Sequence, residues 1–147
     1  MCALSLPDSL SSVKTLLSNN WNTGNVTNGV TPSFWISNEQ PMRLSYFDGN
    51  GHVLLYLVSH QTIPNDLGAS YKELFVDRVS VDIRVKNNRS LLREFYSECK
   101  RIVGANVNDP DADWHQVREV SVQDLSKPGF NRYVMDIELK NWVVTKS

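Results

Sequence analysis

The sequence has few of the residues that usually announce chemistry. Its 147 residues hold 2 cysteines and 3 histidines. It has no glycine-rich phosphate loop, and no Ser-His-Asp or Cys-His pairing can be argued from position. Its longest apolar run is Val53–Val58. A spanning helix needs roughly 20 residues, so no stretch reads as one. The opening MCALSLPDSL carries neither a basic region nor an apolar segment of signal-peptide length. Synthesis in the cytoplasm is therefore expected, with Cys2 and Cys99 as free thiols. Net charge is nearly absent as well: 15 basic residues against 16 acidic ones leave -1. That lacks the basic excess of a dedicated nucleic-acid binder, so neither sequence-specific nucleic acid nor a membrane is expected as a partner.

What is present is an ordinary globular composition, 41% hydrophobic and 21% charged, in a chain of one-domain length. Such a chain can bury roughly 70% of its unfolded surface, enough for a core without staples. The clearest pattern lies in Phe75–Gly104. Val79, Val81, Ile83 and Val85 alternate with Arg78, Ser80, Asp82, Arg84 and Lys86, the period of a half-buried strand. After Asn87 and Asn88 the apolar positions become Leu91, Leu92, Phe95, Tyr96, Cys99, Ile102 and Val103, one stripe of a helix. Asn88 or Ser90 suits its N-terminal cap, and Gly104 a left-handed close.

The remaining elements follow from the same signals. Ser5–Leu17 is expected as a short helix, with Ser5 and Asp8 at capping-box spacing. Residues 18–32, rich in Asn and Gly, are expected as a long loop anchored by Trp21, either functional, ordered by a partner or partly mobile. Ser33–Ser37 and Met42–Phe47 are short strands, the second turning through Asp48-Gly49-Asn50-Gly51 into His52–His60. The run VLLYLV suggests a strand covered on both faces. Residues 61–71 and 104–114 are expected as loops, and His115–Val122 and Phe130–Val144 as strands joined by Lys127-Pro128-Gly129. Together these elements give one α+β domain over residues 1–147, a mostly antiparallel sheet of about five or six strands with two helices packed on it.

Three short constellations have the outline of a metal site. Pro110-Asp111 followed after 26 residues by Glu138-Leu139-Lys140 has the outline of a metal-dependent PD-(D/E)xK nuclease. A solvated strand face explains Glu138 and Lys140 equally well. Asp109, Asp111 and Asp113 resemble the start of a calcium loop, but Trp114 stands where Gly is required and Val120 where a Glu is required. His52 and His60, eight residues apart on one face of one strand, are roughly 26 Å apart, too far to share a metal. No catalytic residue, metal ligand or cofactor is assigned, and the expectation is a protein that is not an enzyme.

Charge concentrates on the polar faces of two strands. Arg78, Asp82, Arg84 and Lys86 on one, and Arg132, Asp136, Glu138 and Lys140 on the other, form a wall of both signs if the strands share a sheet. A mixed wall suits docking on a complementary protein better than on a uniformly negative polymer. As surface sites, Arg84 and Asp136 are expected to tolerate charge reversal without loss of folding.

The order of elements resembles the tail-terminator and tail-completion, or head-tail joining, proteins of tailed phages and archaeal tailed viruses. A helix leads through Trp21-Asn22 into a sheet, and a strand like Val79-Ser80-Val81-Asp82-Ile83-Arg84 runs into a helix like Arg89–Val103. The likeness spans Leu10 to Val144. It implies a virion structural protein of the tail or neck, made in the host cytoplasm. It also implies a homo-oligomeric ring of roughly six subunits, with tail-tube protein and a head connector or adaptor as partners. A tail-tube protein is the nearest alternative, and no catalytic or ligand residue carries over.

Overall fold

The computed structural model describes residues 8–36, 51–67, 70–86, 88–108, 110 and 114–145, with the backbone alone at 64–67, 70–73, 130 and 142–145. The expected strand Met42–Phe47, most of the turn before Gly51, and the acidic turn at Asp109, Asp111 and Asp113 fall outside these residues. Helix α1 spans Ser9–Asn20 and α2 spans Arg89–Ala105; the strands are β1 (Ser33–Ile36), β2 (His52–Leu67), β3 (Ser70–Lys86), β4 (Gln116–Asp124) and β5 (Phe130–Thr145). They form one sheet in the order β1-β2-β3-β5-β4. Every neighbouring pair is antiparallel except β1 and β2, which run parallel from Ser33 beside His52 to Ile36 beside Leu55. The fold is α+β, a mostly antiparallel sheet with two helices.

Both helices lie on one face, α1 over β1 and β2 and α2 over β3, β4 and β5. The alternation in β3 delivers Val79, Val81, Ile83 and Val85 to that face, where they are buried with Leu91, Leu92, Phe95, Cys99, Ile102 and Val103 of α2. Burial pushes the Cys99 thiol well above its usual range, with the Glu98 carboxylate as a second cause, so the thiol stays protonated. Asn88 caps α2 by accepting from the Leu91 amide at 3.0 Å. Asp8 does the same for α1 through Leu10, at 3.1 Å. Gly104 does not close α2 in a left-handed turn. It stays within the helix, which ends on Asn106, whose side chain donates to Ile102 O at 2.7 Å.

Residues 61–67 and 70–71, expected as loop, are strand. β2 continues to Leu67 and β3 starts at Ser70, paired residue by residue back to the core. The result is an arm, and β5 flanks it up to Thr145. Pro64 is compatible with it because a proline disrupts a strand only where its missing N–H would have been paired.

Two β-bulges fall on one rung of the sheet. One lies between Leu57 and Ser59 in β2, next to Val79, and the other between Glu119 and Ser121 in β4, next to Ile137; Val79 and Ile137 are themselves paired. A bulge bends and twists its strand, so the sheet turns where the arm leaves the helix layer. The first bulge also moves His60 to the face opposite His52. His60 pairs with Asp77 and stacks on Phe75, while His52 accepts from Trp35 Nε1 at 3.1 Å on the other face. The expectation that the two histidines share a face is thus corrected by a single inserted residue, Val58.

Candidate assembly surface

The Asn-rich segment after α1 is ordered by the chain itself. Two 3-10 turns, Thr23–Asn25 and Thr27–Gly29, carry it across the end of the helix layer. Glu98 of α2 is buried and accepts from Asn22 N at 2.7 Å and Asn25 Nδ2 at 3.0 Å. It also accepts from Arg101 Nε and Nη2, each at 2.7 Å, and Arg101 in turn donates to Asn20 O at 2.8 Å. One turn earlier, Glu94 accepts from Thr27 N at 3.1 Å and Thr27 Oγ1 at 2.5 Å. Trp21 packs edge-on against Phe95 and Phe34 with ring centroids 5.5 and 5.7 Å away, so it is an anchor as expected. The segment needs no partner to fix it.

The Arg101 hydrogen bonds, helped by those from Asn22 and Asn25, outweigh burial and hold the Glu98 carboxyl at about 2, below its ordinary value. A depressed carboxylate stabilises the fold fully above the unfolded pKa and loses that contribution as pH falls towards the folded one. The loss should therefore run from about pH 4.5 down to about pH 2 and amount to at most about 3 kcal/mol. Asp124, also held at about 2, chiefly by Ser126 and Arg89, titrates in the same window. The check is thus the difference in unfolding free energy between wild type and Glu98→Gln across that range. Equal slopes in the two proteins would contradict the clamp.

The predicted charged wall is on one face, opposite the helices. Arg78 lies beside Glu138, Ser80 beside Asp136 and Arg84 beside Arg132 across the β3–β5 pair. The wall divides into two parts. In the outer part Glu138 has Arg118, Arg78 and Lys140 at 3.5, 3.6 and 3.6 Å. Three cations thus surround one carboxylate in a charge network; Asp111, the other acid of the outlined ion site, lies outside the described residues. Asp136 accepts from Ser80 Oγ at 2.5 Å, and Lys86 is exposed at the end of β3.

In the inner part the side chains are not on the surface. Asp82 is fully buried and Arg84 nearly so. Arg132 grips Asp82 with Nε at 3.0 Å and Nη2 at 2.9 Å, and Arg84 Nη2 reaches the same carboxylate at 2.8 Å. Arg84 and Arg132 stand directly opposite each other, so Asp82 is what makes their approach tolerable. Asp82 and Arg84 therefore cannot act as solvent-facing contacts of a free subunit, and charge reversal at Arg84 strikes a buried triad. Alternation within a strand shows which side chains share a face, but not whether that face is covered.

Beyond the wall, Tyr96 of α2 donates to Glu119 of β4 at 2.8 Å. Burial and that bond push its hydroxyl up to about 12. Arg89 and Asp124 pair at 2.8 Å, tying the start of α2 to the end of β4.

No family model matches the chain, and neither does any curated protein. Among solved structures, a chain in the virion of a native gene transfer agent (GTA) particle aligns with a TM-score of 0.50 at 10% identity, covering 90% of this chain and 92% of that one. A second solved chain aligns with a TM-score of 0.47 at 11% identity, covering 96% and 99%. At such identity the likeness is one of fold: nearly the whole chain follows an architecture that a virion particle also uses.

Proposed function

We propose that this chain is a virion structural protein, a tail-terminator or neck subunit that forms a ring of roughly six copies between tail tube and head connector. The observation that carries this reading is the end-to-end fold likeness to a chain of a virion particle, at 90% and 92% coverage. One feature of the molecule supports it: the described sheet ends in two different outer strands, an unlike pair of surfaces such as a closed head-to-tail ring requires. The test is native mass at micromolar concentration, alone and mixed with tail-tube protein. The reading expects a discrete oligomer that binds the end of a tube. A strict monomer that ignores tail components would sink it.

A further inference from the structure

The near-zero net charge of the chain hides a segregation on α2. Both acids of that helix are bound to the Asn-rich segment: Glu94 accepts from Thr27, and Glu98 from Asn22 and Asn25. The charged side chains of α2 that are exposed are then all cations, Arg89, Arg93, Lys100 and Arg101. At 3.6 residues per turn, Arg89, Arg93 and Lys100 stand within about 40° of one another around the axis, and the exposed Ser90, Ser97 and Gly104 continue the same side. From Arg89 to Arg101 the stripe runs for roughly 18 Å. Arg89 pairs with Asp124 and Arg101 with Glu98, while Arg93 and Lys100 pair with no carboxylate among the described residues.

The composition of the stripe decides which anion it suits. A protein interface is anchored by aromatic and apolar side chains, with Lys depleted from its core. This side of α2 offers only Arg, Lys, Ser and Gly. Cations and hydroxyls are the groups that hold phosphates, and a DNA duplex presents about ten backbone charges along roughly 18 Å of its axis. The cations on the far face of the sheet differ, because Arg78, Arg118 and Lys140 already converge on Glu138. We propose that the exposed side of α2 binds the sugar-phosphate backbone of double-stranded DNA without reading its sequence. Such contact needs a local cationic stripe and no basic excess in the chain as a whole. It goes beyond the ring reading and does not depend on it.

Fluorescence anisotropy of a short labelled duplex tests it. The wild-type chain should bind at low salt, equally for two unrelated sequences. Its log-log salt slope should be roughly -2 to -4, about -0.9 for each cation engaged. Arg93→Gln with Lys100→Gln should weaken binding roughly tenfold or more and reduce the slope by about two. Melting should not change, because both side chains are exposed. Arg78→Gln with Arg118→Gln removes the same charge from the opposite face of the sheet and should leave binding nearly as it was. No binding by the wild type at low salt would overturn the proposal. Equal losses in the two double variants would overturn it too, since they would report only overall charge. If Arg93→Gln with Lys100→Gln keeps its DNA affinity but loses its own assembly or its hold on a tail component, the stripe is a protein contact and the proposal falls. Native mass tests the ring reading separately, whatever the DNA result.

Discussion

Asp82→Ala should destabilise the protein by about 3–5 kcal/mol, the usual cost of removing one partner from a buried ion pair. For a chain of this size that corresponds to a fall in melting temperature of roughly 10 °C or more. The reason lies in what remains. Arg84 is already poorly served: among the described residues its buried Nε and Nη1 have no acceptor, and its ion pair is with Asp82. Without Asp82, two guanidinium groups face each other across β3 and β5 with no other anion paired to either among the described residues. The penalty belongs to the orphaned cations rather than to the value of the pair. Replacing the whole triad by Asp82→Leu, Arg84→Met and Arg132→Leu should therefore recover most of the loss. Denaturant unfolding of both variants checks this. A triple variant no more stable than Asp82→Ala would mean that the three charges contribute in another way.

Gly51→Ala is the second large effect. Gly51 has φ +78, and a Cβ there would sit 2.8 Å from Phe95 Cε2, 3.0 Å from Arg84 O and 3.0 Å from Val85 Cγ2. The Phe95 ring is fully buried and backed by Trp21, and Arg84 O is backbone, so neither can retreat cheaply. The left-handed conformation and the overpacking together should cost roughly 2–5 kcal/mol. Gly104→Ala is the natural control. Its Cβ would meet nothing within 4 Å and it lies inside α2, so there the same change should stabilise by roughly 0.5–1 kcal/mol. Opposite signs in the two melting curves are expected; two losses of similar size would contradict the packing described at Gly51.

The β3–α2 unit was legible in the residues because its information is local. Val79 to Val85 repeat every second position and Leu91 to Val103 follow a helical stripe, and both periods were realised. The arm was not legible, because Pro64, Asn65, Asp66 and Gly68 are turn formers and only pairing with β3, itself flanked by β5, draws 61–67 out as strand. Neither were the bulges, since one inserted residue leaves no mark in composition yet sends His60 to the other face. The Glu98 clamp did leave a signal. Glu98 stands three residues after Phe95 and four before Ile102, on the apolar stripe itself, where an acid must find partners; the Asn-rich segment supplies them. For the charged wall the pattern identified the face and the pairing strands. That its inner part is buried depends on distant packing.

The central claim is that this subunit assembles into a ring through two unlike surfaces. Native mass of the purified wild-type chain at micromolar concentration tests it most directly. The prediction is one sharp species at an integer multiple of the 16.7 kDa subunit, near six copies, with no ladder of larger forms. A single 16.7 kDa species, unchanged when tail-tube protein is added, would contradict it.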